Sequence, residues 1–325
     1  MTALFGILLT LLVLPAGPLA GQKDSLRDYA PFSGIGTTIA GNRPLIVLRR
    51  FMRDSLPCYL TVNPEDLSTM IRKQADLNLR EESWDMIRKT FAASNYFRTM
   101  AGAEGNAKVM QDAGITRLSE SLPGIALTVD LCPSQNPLDR VLFTELIGAF
   151  EAKEKPVPVS LSISGLWLKH HEEDFKWLLQ LAERKEISVT WINHTYHHRT
   201  GKDLPMNENF LLEKGTDLKG EILRLEEMMI RQGITPSVFF RFPGLVSDEK
   251  TFKAVTAFGL IPVGSDAWIG KNQYPREGSI VLLHGNGNEP IGIKRFLKMI
   301  REGDESITGK SWMLLDLREG LARPE

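Results

Sequence analysis

Six residues of catalytic type fall at or just past the ends of apolar, strand-like runs in this 325-residue sequence. The densest group is His194-Thr-Tyr-His-His198, which holds three of the chain's six histidines. On a helical turn, positions i and i+4 share a face, and two imidazoles there can grip a divalent metal. His197, at i+3, could take the place of His198, and an ordinary polar loop is the alternative. Asp130 follows Ile-Ala-Leu-Thr-Val, where a carboxylate is either a cap or, with water in reach, a general base. Arg241 follows Val-Phe-Phe, should be partly buried, and so needs an anionic partner. Asp130 and Asp266 are both candidates, and a purely structural ion pair is the alternative. Asp266 and Trp268 could supply a carboxylate and a flat apolar wall, unless Trp268 belongs to the core. His284 closes Ser-Ile-Val-Leu-Leu. His170 and His171 adjoin Glu172 and Glu173 and read as a solvated helix start.

The elements that must position these residues are regular from residue 124 onward. Strands are expected over 124–130, 157–164, 187–193, 237–241, 261–265, 279–284 and 312–316. Helices are expected over 138–153, 174–186, 216–232, 249–258 and 293–302, the third ending at Gly233. Seven short apolar strands mostly alternating with helices argue for an α/β fold: a distorted, seven-stranded (β/α) barrel preceded by an N-terminal accessory segment. An open doubly wound sheet is the alternative. In a barrel all six residues would meet at the face formed by the strand C-termini.

Residues 22–120 lack this rhythm and form the accessory α+β segment, followed by the α/β domain over 121–325. Within the segment, strands are expected over 44–51 and 58–62, helices over 66–77 and 82–100, and a linker over 101–114. Residues 1–21 are apolar with a small-residue exit, which fits a secretory signal or an uncleaved N-terminal anchor. The chain is therefore expected outside the cytoplasm, periplasmic or extracellular. Cys58 and Cys132 could be bridged there, but two unpaired thiols are the reading preferred. The formal net charge is −1, so no basic excess exists to follow a nucleic-acid backbone. No Gly-x-Gly-x-x-Gly follows the first barrel strand, which speaks against dinucleotide binding. No obligate protein partner is evident.

With these residues in place, the sequence resembles the polysaccharide deacetylases, the NodB-homology family (carbohydrate esterase family 4). Five motifs occur in the family's order over residues 120–320: Thr128-Val-Asp130-Leu131, His194-Thr-Tyr-His-His198, Arg241-Phe-Pro243, Asp266-Ala-Trp268 and Leu282-Leu-His284. The resemblance implies a hydrolase that removes N-acetyl groups from a glycan. His194 and His198 would hold a divalent metal, zinc above others, to polarise the amide carbonyl and acidify water. Asp130 would be the base, oriented by Arg241. His284 would protonate the leaving amine, with Asp266 favouring its charged form. Trp268 and Leu282 would line the substrate site.

One position departs from the family. Its second motif-one aspartate, a metal ligand, is Leu131 here. Cys132, Asp139 and His197 are candidate replacements, and Asp130 could itself be a ligand. The same departure keeps two other readings open: a hydrolase of a non-sugar C–N bond, metal-independent or not, and an inactive glycan-binding homologue.

Overall fold

The computed structural model describes residues 25–322 apart from 42 and 120. The apolar N-terminal run, read as a signal or anchor, lies outside the described residues. Among those described, no helix is long and apolar enough to cross a membrane.

The accessory segment opens with a five-stranded antiparallel sheet: β1 (Leu26–Thr38), β2 (Pro44–Arg53), β3 (Leu56–Val62), β4 (Thr69–Lys73) and β5 (Leu77–Glu81), in the order β4-β3-β2-β1-β5. Three expectations fail here. The helix read over 66–77 is replaced by a turn and the strands β4 and β5. The side chain of Asn63 bonds that of Asp66 at 2.9 Å, and Ser68 N–H donates to Asp66 Oδ1 at 2.8 Å. Such side-chain-to-backbone bonding competes with a helix, and Leu67 turns at φ 60°. The helix read over 82–100 is split into α1 (Trp84–Thr90) and α2 (Asn95–Glu104), because Ser83 and Ser94 each cap a new start. The linker read over 101–114 also begins inside α2. β1 escaped prediction because its pairing with β2 slips twice, which breaks the alternation that marks a strand.

The barrel follows: β6 (Gly124–Leu131), α3 (Arg140–Phe150), β7 (Val157–Ile163), α4 (Gly165–His170), α5 (Glu172–Glu183), β8 (Ile187–Asn193), α6 (Leu218–Arg231), β9 (Phe239–Phe240), α7 (Glu249–Thr256), β10 (Ile261–Pro262), β11 (Ala267–Trp268), β12 (Ile280–His284), α8 (Pro290–Glu302), α9 (Asp304–Thr308), β13 (Met313–Leu314) and α10 (Leu317–Ala322). The strands are parallel and curl in the order β10-β9-β8-β7-β6-β12-β11, with β13 against the start of β6. This is the distorted (β/α) barrel expected, left open as a half-barrel between β10 and β11. Residues before β6 occupy part of that gap. Ile115 N–H donates to Pro262 O at 3.0 Å, Gly264 N–H to Ile115 O at 2.8 Å, and Leu118 N–H to Gly278 O at 2.7 Å.

Strand alternation decides what β6 contributes. Successive side chains point to opposite faces. Ile125, Leu127, Val129 and Leu131 join the apolar layer under α3, α5 and α8, whereas Thr128, Asp130 and Cys132 turn inward. Leu131 is thus a core residue on the face opposite the site.

Candidate active site

At the C-terminal mouth of the barrel lies a cavity of about 280 Å³. Asp130, Cys132, His194, His198, Trp268, Leu282 and His284 line it, with Phe210 and Leu245 as further apolar walls. Asp130 and His284 are neighbours because β6 and β12 pair in that register. Arg241 follows β9 and is fully buried behind Asp130.

Asp130 Oδ1 lies 3.5 Å from Arg241 Nη1, and Oδ2 lies 3.7 Å from His194 Nε2. The guanidinium is further tied by Nη2, which donates to Thr128 Oγ1 at 2.9 Å and Gly264 O at 3.2 Å. Asp130 Oδ1 is buried and accepts no hydrogen bond among the described residues.

The histidine loop is not the helical turn expected. Thr195 and His198 adopt φ 68° and 49°, a region that costs a β-branched residue of order 1–3 kcal/mol. The strain is held by specific bonds: Thr195 N–H to Asn193 Oδ1 at 3.0 Å and His198 N–H to Thr195 Oγ1 at 3.1 Å. His197 does not enter the cavity. Glu221 on α6 clamps it, accepting its backbone N–H at 2.8 Å and meeting Nδ1 at 2.6 Å. The His194 and His198 rings are brought to 4.6 Å between centroids. His194 Nδ1 lies 2.9 Å from Arg241 O. A carbonyl can only accept, so Nδ1 carries the proton and Nε2 offers its lone pair inward.

Cys132 Sγ lies 3.6 Å from His194 Nε2. Donor atoms of Cys132, His194 and His198 fall within 4.8 Å of one another, and all three residues are buried. His198 Nε2 is buried without a hydrogen-bond partner among the described residues. An orphaned imidazole nitrogen, a tautomer fixed to present a lone pair and a nearby thiol together suit a divalent cation. Burial pushes the Cys132 thiol up, but the charge of His198 and contacts with the His194 and His284 imidazoles outweigh it and hold the thiol well below its ordinary range. Asp139, the remaining candidate, immediately precedes α3 and does not line the cavity. Cys58 and Cys132 are both buried and are not joined in a disulfide.

Asp266 is placed differently from the other five. β10 is only two residues long, and the chain passes to β11 beside β12. Asp266 N–H donates to Ile280 O at 3.2 Å, at the start of β12, whereas His284 ends it, roughly 13 Å further along at ~3.3 Å per residue. The Asp266 carboxylate instead accepts from Ser279 Oγ at 3.2 Å and pairs with Arg117 at 3.4 Å. The carboxylate at His284 is Glu289, whose Oε2 lies 3.2 Å from Nδ1. Trp268 Nε1 donates to the same oxygen at 2.7 Å. Gly270 makes the room: a Cβ there would sit 1.9 Å from the Glu289 carboxyl carbon. Burial would lower the His284 pKa, but hydrogen bonding to Cys132 and Glu289 pushes it up to about 10. Glu289 precedes Pro290 at the head of α8, so in sequence it resembles an ordinary helix start.

No family model matches the sequence. Solved structures do resemble the chain. These neighbours are family 4 carbohydrate esterases. A family 4 carbohydrate esterase from Bacillus anthracis is 17% identical, at TM-score 0.48 over 69% of this chain and 91% of that one. PdaA of Bacillus subtilis, a family 4 carbohydrate esterase, is 15% identical at TM-score 0.47 over 67% and 86%. A CE4 family pseudoenzyme from Bacillus anthracis is 13% identical at TM-score 0.45 over 65% and 70%. Both esterases and a pseudoenzyme are thus found among the neighbours.

Proposed function

We propose that the chain is an exported hydrolase that removes N-acetyl groups from a cell-wall or extracellular glycan. The observation that carries this reading is the meeting of Asp130, His194, His198 and His284 around one cavity, with Arg241 buried behind Asp130. His194 and His198 would hold a divalent metal, which when bound supplies Lewis-acid polarisation of the amide carbonyl and acidification of water.

The chain's own groups divide the remaining work. Asp130, held at Oδ1 by Arg241 and with Oδ2 3.7 Å from His194 Nε2, takes a proton through Oδ2 from water as the water oxygen bonds to the acyl carbon. Arg241 fixes the carboxylate's orientation. His284, its Nδ1 on Glu289, delivers a proton to the amide nitrogen as the C–N bond breaks, releasing acetate and a free amine. Leu282 and Trp268 confine the acyl group and keep bulk water out. His284 faces the Glu289 carboxylate, which favours its charged, proton-donating form.

Two outcomes test this. Acetate release from chitin oligomers or peptidoglycan fragments is expected from the full chain, to be lost on chelation and restored by zinc. Release from neither substrate by zinc-loaded protein would overturn the glycan reading, and undiminished release by stripped protein would overturn the metal's role. Glu289→Gln is expected to lower kcat by about 10–100-fold with little change in KM, as removal of a group orienting a working histidine does. Asp266→Asn should cost less, and the reverse ranking would return the orienting role to Asp266.

A further inference from the structure

We infer that Cys132 is the third protein ligand, making the metal site a thiolate–bis-imidazole centre in place of the carboxylate–bis-imidazole set of the family the sequence resembles. The inference rests on the hydrolase reading and deepens it at the same site.

Four observations carry it. Leu131 is fully buried among the apolar residues of the outer layer, so no acidic replacement at 131 would reach the histidines without turning the strand over. Cys132, two residues beyond Asp130, shares Asp130's face. Its Sγ is 3.6 Å from His194 Nε2, and the Cys132, His194 and His198 donors form a compact buried triangle within 4.8 Å. The ligand loop is also locked: Asn286, fully buried, donates through Nδ2 to Cys132 O.

The chemistry differs from that of a carboxylate set. Thiolate is a soft donor and favours zinc or cobalt over magnesium, calcium or manganese. With sulfur as third ligand, Asp130 is spared for proton transfer. Three protein ligands leave a fourth, open position, as catalytic zinc sites require.

Cobalt(II) substitution of the full chain tests the assignment independently of turnover. Wild-type protein is expected to bind one cobalt with an intense near-ultraviolet sulfur-to-cobalt charge-transfer band. Cys132→Ser should lose the band and bind zinc at least ~100-fold more weakly, a loss no smaller than that for a residue that only orients a ligand. Cys132→Asp should recover zinc binding without the band, which separates loss of a ligand from loss of the fold. Cobalt bound without the band, or unchanged zinc affinity in Cys132→Ser, would overturn the ligand assignment while leaving the hydrolase reading intact. Failure of the wild type to bind zinc or cobalt would overturn the assignment together with the metal's role in hydrolysis. Acyl transfer to Cys132 in metal-free protein, trapped as a thioester, would make the thiol a nucleophile and also overturn the assignment.

Discussion

Asp130→Asn is expected to reduce acetate release by about 10²–10⁴-fold, the range associated with a general base, while the protein still folds and binds zinc. Asparagine keeps the shape of the side chain and one oxygen toward Arg241, but it cannot accept the proton that attack by water must shed. The variant also leaves the Arg241 guanidinium, 0% exposed, without its carboxylate. Breaking a buried pair costs roughly 3–5 kcal/mol. Thr128 Oγ1 and Gly264 O still accept from Nη2, which should limit that loss. A lower melting temperature with a single cooperative transition is therefore expected alongside near-zero turnover. Zinc content measured on the same sample separates loss of the base from loss of the metal. Full activity in this variant would place the base elsewhere.

The parts of the site that could be read from sequence are those carried by strand ends. β6, β8 and β12 are long enough for their apolar runs to be recognised, and Asp130, His194 and His284 follow from where those runs stop. Asp266 was expected by the same rule, but β10 spans two residues, and the two-residue β11 went unrecognised. A chain that changes strands within four residues offers no periodicity to show which end of the sheet Asp266 occupies. Glu289 could not be read at all, because its role depends on a loop return and on the missing side chain of Gly270. Cys132 is one of three candidate replacements in the sequence, and strand parity singles it out. Residues 128, 130 and 132 alternate onto one face, and that parity marks Cys132, not Leu131, as the residue to compare with a ligand.

The accessory segment is tied to the site through α6, and the tie predicts a large stability effect. Glu221 on this helix clamps His197 and with it the strained histidine loop. Glu226, further along the same helix, faces the other way into the N-terminal sheet. Arg49 of β2 grips it through two bonds, Nε to Oε2 at 2.7 Å and Nη2 to Oε1 at 2.9 Å, and Tyr29 O–H donates at 2.9 Å. Arg49 Nη1 also donates to Phe258 O at 2.7 Å, just past α7. Both charged side chains are 1% exposed. Glu226→Ala would strand a buried guanidinium and is expected to cost roughly 3–5 kcal/mol, read as a lower denaturant midpoint. Replacing both partners, as in Arg49→Met with Glu226→Leu, should recover most of that loss, because the desolvation cost of the pair disappears with it. A change below about 1 kcal/mol in Glu226→Ala would mean that the sheet is docked by its apolar contacts alone. If the single variant also weakens zinc binding and the double variant restores it, the sheet acts on the histidines by steadying the helix that holds their loop.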